Sequence, residues 1–341
     1  MLIPIGRDHN VKENDSEDPR GGNLRWLERI RTKKGVVSIE ALADGLAVVA
    51  RGCHSDDAKV DVLTVLDKTA TGGAYTRALS DLVEKHKIGR RSCNVILPQA
   101  DYQLLLVEAP DVPEENLRDT MRWRIKDLVS IPLESAVVDV FLLPQGSTRS
   151  TKKMVYVVVS ERKCIQNWVN LVAESGLMLN AIDIAEMAMR NIVLLCQQRE
   201  RQAGESAEGQ EERAIAVARV VAGGGSLALY RGGNLFLARQ FKVNYLGGLL
   251  DDLPIDPLAL EIQRSLDYYE RQMGMVPPKV LYFCGENLTE DKITVELKRA
   301  MTVPVKHLDM MSALGLEEHD EEHLLHTCVG ALGGVFRSLA A

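Results

Sequence analysis

The chain has 341 residues, long enough for two domains that each bury a core. Its net charge of −7 lacks the basic footprint that general nucleic-acid binding requires, and 46% hydrophobic with 26% charged residues is ordinary globular composition. No apolar run approaches the roughly 18–20 residues of a membrane span and the first residues lack a signal-peptide core, so a cytoplasmic protein is expected.

Residues 1–35 predict a loose polar segment ending in a short basic helix. Asn23 caps it, Leu24, Leu27 and Ile30 share one face, and Arg25, Arg29, Arg31, Lys33 and Lys34 surround them. Such a helix fits an anionic membrane surface or simple docking on the domain. Val36–Leu42 and Leu46–Arg51 read as a hairpin around Ala43–Asp44–Gly45, followed by a strand at Val60–Leu66 and a helix from about Ala74 to Lys87.

The best-patterned stretch runs from Cys93 to Pro144. Val95–Leu97 and Leu104–Val107 have strand length and are split by a polar turn at Gln99–Asp101. Pro110 and Pro113 bracket a turn, and Glu114 and Glu115 place negative charge in the first turn of a helix. Leu117, Met121, Ile125 and Leu128 recur on one face, Pro132 stops the helix, and Val137–Leu143 reads as a strand. A strand at Met154–Ser160, a helix stopped at Gly176, a strand near Met178–Ile184 and a helix to about Gln198 follow.

Residues 199–212 are polar without apolar periodicity and predict a linker loop. Strands then begin again at Ala214–Val221, Ser226–Tyr230 and Leu235–Gln240. A helix at about Pro257–Met273, a strand Val280–Cys284, a helix near Thr289–Ala300, a short strand Val303–Lys306 and a final helix to about Leu339 complete the chain. The recurrence of three strands, helix, strand, helix predicts a duplicated, two-lobed α/β protein. Residues 36–92 and 177–198 form the first lobe, 93–176 an inserted subdomain and 213–341 the second lobe, with the cleft between lobes as the default ligand site.

Chemical motifs are sparse. The six cysteines form no CxxC pair and read as small buried hydrophobes. His319, His323 and His326 share a helix face at metal-ligand spacing, although a solvated helix start explains the same residues. There is no GxSxG elbow and no GxxxxGK[ST] loop. Arg122, Trp123, Arg124, Lys126 and Asp127 combine the residue types enriched at protein interfaces. The acidic-to-basic order along their helix also suits its dipole.

The segments RWRIKDLVSIPLESAVVDVFLLP, NLVAESGLMLNAIDIAEMAMRNIV, LALYRGGNLFLARQF and LEIQRSLDYYERQ resemble, in order, those of the type IV pilus assembly PilM family. Within that family they are most similar to the MshI branch of MSHA pilus biogenesis. The resemblance covers about residues 36–338. It implies an actin-like (ribonuclease H-like) two-lobed fold with an inserted FtsA/PilM-type subdomain. It also implies a cytoplasmic protein at the inner membrane that binds the N-terminal tail of a PilN-like membrane protein and connects to the assembly ATPase. Partner contact is expected at Arg122, Trp123, Arg124, Lys126 and Asp127.

The nucleotide motifs that the resemblance implies are degenerate here. SIEALADGL stands where a small-residue phosphate turn belongs, with Ser38 read at the Asp position and Leu42 in the turn. In the second half Arg219, Val220 and Val221 stand at the matching turn, followed by Gly223, Gly224, Gly225 and Ser226, which can wrap an anion or simply make a hairpin. The adenosine-side glycine pair is reduced to Gly285 followed by Glu286. The expectation is therefore a non-catalytic scaffold with no cofactor. An ATP-binding switch using magnesium and a GspL-like type II secretion component are the alternatives.

Overall fold

The computed structural model describes residues 35–52, 60–72, 74–144, 153–202, 213–243, 254–285, 290–316 and 322–340. The basic segment before Lys34, Cys53 and His319 lie outside them.

The first lobe starts with strands buried on both faces, which is why their sequences are continuous apolar runs. β1 (Val36–Ala41) and β2 (Gly45–Arg51) make a hairpin, β3 (Val62–Asp67) follows, and helix α1 (Tyr75–Lys85) leads to β4 (Ser92–Leu97). Next come β5 (Tyr102–Glu108), α2 (Glu114–Arg124), β6 (Ala136–Leu142), β7 (Met154–Glu161), α3 (Arg162–Glu174), β8 (Met178–Ile184) and α4 (Ala185–Gln202). Gly176, with φ +77°, turns the chain between α3 and β8.

The second lobe repeats the opening with β9 (Ile215–Val221), β10 (Gly224–Arg231) and β11 (Asn234–Phe241). Helix α5 (Ile255–Asp267), β12 (Val280–Gly285), α6 (Glu290–Ala300) and β13 (Val305–His307) follow. The C-terminal region is three short helices, α7 (Met310–Leu314), α8 (Glu322–Thr327) and α9 (Val329–Val335), where the sequence suggested one. Gly315, at φ +67°, ends α7.

The strand orders are β3-β2-β1-β4-β8 and β11-β10-β9-β12-β13. In each, three antiparallel strands are extended by two parallel ones. Two copies of this arrangement make the actin-like fold. A third sheet, β5-β7-β6, belongs to the insertion.

That sheet corrects the expected boundaries. The insertion was expected to begin at Cys93, but Cys93–Leu97 lie in β4, hydrogen-bonded between β1 and β8 in the first lobe. The 3₁₀ turn Gln99–Asp101 carries the chain out of that lobe, and the small sheet starts at Tyr102. Of the expected linker at 199–212, Arg199–Gln202 belong to α4, and residues 203–212 lie outside the described residues. Glu200 there meets Lys279 (3.4 Å) and the Tyr282 hydroxyl (3.1 Å).

Helix α9 returns from the second lobe to pack on β1, β4 and α4 of the first. The Asn94 and Asn191 side-chain amides donate to the carbonyls of Gly334 (2.9 Å) and Gly333 (2.8 Å). Only glycine fits this approach: a Cβ on Gly333 would stand 2.1 Å from the Ala188 carbonyl oxygen.

Candidate functional site

The interlobe cleft has a volume of about 570 Å³. Its walls are the β1–β2 hairpin tip (Ala41–Ala43), Pro98–Ala100 after β4, the β9–β10 turn (Val221–Gly224) and the end of β11 (Gln240–Lys242). Within the first hairpin the Leu42 amide is bonded to the Gly45 carbonyl at 2.9 Å, so it closes its own turn. Gly223 has φ +81°, as the tight β9–β10 turn requires. Added Cβ atoms on Gly224 and Gly225 would press on Phe241, at 3.0 Å from its carbonyl oxygen and 2.5 Å from its ring. Close packing against β11 therefore accounts for these two glycines.

Of the expected nucleotide-binding residues, Gly223 and Gly224 line the cleft. Gly225 and Ser226 continue into β10, and Gly285 ends β12 opposite Val220.

At the cleft floor the Arg219 guanidinium donates to the Glu40 carboxylate at 2.6 Å, with side-chain exposures of 5% and 3%. The hairpin register makes these two residues equivalent. Glu40 pairs with Ala47 and Arg219 with Ser226, each across a seven-residue step, and each also faces the first parallel neighbour. Sequence reading put Ser38 at the position corresponding to Arg219; the register puts Glu40 there. Ser38 and Glu40 lie two apart and share one strand face.

A second buried carboxylate, Glu186, sits in the first turn of α4. It accepts hydrogen bonds from the Tyr102 hydroxyl at the start of the inserted sheet and from the Gln240 amide of β11 (3.1 Å). Its own carbonyl accepts from Tyr230 of β10 at 2.6 Å. Burial raises its pKa, opposed by the Tyr102 and Gln240 bonds and by the charge of Arg219. Both lobes and the insertion therefore meet at one side chain. Sequence reading singled out neither Glu186 nor its partners.

The second candidate surface is on the insertion. There Leu117, Met121, Ile125, Leu133, Ala136 and Val138 form a small core with Val155, Val157 and Val159 of β7. Arg122 is half-buried and its guanidinium donates to the Leu133 carbonyl, which anchors the end of α2. Trp123 is 72% exposed, and Arg124, Lys126 and Asp127 are exposed beside it. Leu128, expected on the buried face, is 57% exposed because α2 stops at Arg124 with Ile125 as its C-cap.

Of the three histidines at metal-ligand spacing, His323 is exposed and the His326 ring lies tilted against that of His307 with centroids 4.8 Å apart. No group of three or more metal-ligating side chains occurs among the described residues. No helix among them is long and apolar enough to cross a membrane.

No protein-family model and no curated protein matches this sequence. Among solved structures the chain is similar to PilM of a PilM–PilN type IV pilus biogenesis complex. The TM-score is 0.69 at 17% identity, over 89% of this chain and 98% of that one. It also matches the cytoplasmic domain of EpsL, an inner-membrane component of the type II secretion system of Vibrio cholerae (TM-score 0.49, 12% identity, 82% of this chain and 93% of that one). A further match is a Bacteroides thetaiotaomicron protein with an actin-like ATPase fold and unknown function (TM-score 0.47, 14% identity, 84% and 98%).

Proposed function

We propose that this protein is a non-catalytic scaffold of a type IV pilus assembly machine, of the MSHA type. It binds the N-terminal tail of a PilN-like inner-membrane protein, which holds it at the cytoplasmic face of that membrane, and it connects to the assembly ATPase. The observation that carries this reading is the likeness to PilM in the PilM–PilN complex, which covers 89% of this chain. The insertion offers a contact surface in Trp123, Arg124 and Lys126. An exposed Trp flanked by cations is the composition found at interface hot spots.

The same reading makes the protein no enzyme and gives it no cofactor. The actin-like fold family uses a nucleotide with magnesium, and the cleft residues do not fit that group. The floor between the two hairpins is filled by the Glu40–Arg219 pair, and Glu186 adds a second carboxylate nearby. The test is thermal unfolding of the full chain with each ligand. A synthetic peptide of the PilN-like tail, at about 100 times its Kd, is expected to stabilise the protein by about 2.7 kcal/mol, and Mg-ATP to leave it unchanged. Stabilisation by Mg-ATP and none by the peptide would favour the nucleotide switch.

A further inference from the structure

The Glu40–Arg219 pair does more than occupy space. Its two members come from equivalent positions of a duplicated unit, one acidic and one basic, and they meet across the line where the lobes face each other. Each is the single charged residue of its strand, VVSIEA in β1 and IAVARVV in β9. The second oxygen of Glu40 has no hydrogen-bond partner among the described residues. It lies against the backbone of Gly330 in α9, where an added Cβ would stand 2.2 Å away. The carboxylate is thus enclosed by β1 below, α9 behind and the opposite lobe in front.

We infer that the Glu40 carboxylate is a built-in anion. It occupies the guanidinium that would otherwise attract an anionic ligand to the cleft floor, and it clamps the two lobes together from inside. An ion pair so enclosed gives little net stability, but loss of one partner leaves the other buried in a site built for the pair. The pair thus ties the two lobes together without any ligand, and an incoming polyphosphate must displace Glu40 and face its negative charge. This inference rests on the cleft geometry and is independent of the pilus reading.

The experiment compares the full-length protein with Glu40→Gln, Arg219→Gln and the double variant, using sodium tripolyphosphate as the probe in thermal unfolding. Each single variant is expected to melt about 5 °C or more below the parent, and the double variant above either single one. Tripolyphosphate is expected to raise the melting temperature of Glu40→Gln, where the guanidinium no longer faces the Glu40 carboxylate, and to leave the parent and Arg219→Gln unchanged. Should Glu40→Gln fail to fold, recovery of folding in the double variant supports the clamp. Stabilisation of the parent by tripolyphosphate, or a double variant no more stable than the worse single one, overturns it.

Discussion

Glu186 shows how one side chain records the meeting of three parts of the molecule. It is 1% exposed, and burial raises its pKa above the usual carboxylate value. A raised carboxylate favours the folded state when protonated, so its contribution is present at acid pH and is lost as pH rises through the folded-state pKa. The melting temperature of the parent minus that of Glu186→Gln is therefore expected to be more positive at pH 5 than at pH 8. A pH-independent difference would mean that Tyr102, Gln240 and Arg219 hold the carboxylate ionised throughout. At Gly333 the constraint is steric. Gly333→Ala drives a methyl into the Ala188 carbonyl, so a loss of about 3 kcal/mol is expected in denaturant unfolding. Gly89→Ala, whose Cβ meets nothing closer than 3.7 Å, is expected to be neutral or slightly stabilising. Charges such as Glu40 and Arg219 were legible in the sequence as interruptions of apolar strands. Their pairing was not, since 179 residues separate them and only the folded duplication brings them together.

At the scale of the element, α2 divides into a face that builds the insertion and a face left to solvent. Leu117, Met121 and Ile125 recur at four-residue spacing and are buried, as the sequence implied. Trp123 lies two residues from both Met121 and Ile125, so the same geometry turns it to the opposite side. The sequence leaves Trp123 open between contact surface and core, because it falls beside the apolar stripe. The misplacement of Leu128 had a different cause: the periodicity persists past Arg124, but the helix does not, and no glycine or proline marks its end. Leu117→Ala is expected to cost about 2–5 kcal/mol. Trp123→Ala is expected to change stability by less than about 0.5 kcal/mol while weakening capture of the PilN-like tail, read by titration calorimetry against circular dichroism melts. Equal stability with undiminished binding would remove Trp123 from the contact surface.

For the whole molecule, the two lobes share one continuous core, whereas the insertion has its own. The central strand of the small sheet, β7, is buried on both faces. Its Tyr156 and Val158 face the main core, and Val155, Val157 and Val159 face the core of the insertion. Period-two alternation thus seats the small sheet on the lobes, with Tyr102, Leu104 and Leu106 of β5 and Val137 and Phe141 of β6 packed on the main core beside the β7 residues. Helix α9 does the opposite for the lobes, crossing from the second to the first and closing onto β1 and α4 through Gly330, Gly333 and Gly334. A unit with a separate small core opens before the body to which it is attached. Native-state hydrogen exchange is therefore expected to show amides of α2 and β6 exchanging together through a subglobal opening. Those of β1, β4, β9 and α9 should exchange only at the free energy of global unfolding. Leu117→Ala is expected to lower the opening energy of the first set by nearly its full effect on stability and to leave the second set's shared isotherm unbroken. A single isotherm for both sets would show that β7 couples the insertion to the lobes as one cooperative body. In that case any partner bound at α2 would be felt directly at the cleft through Tyr102 and Glu186.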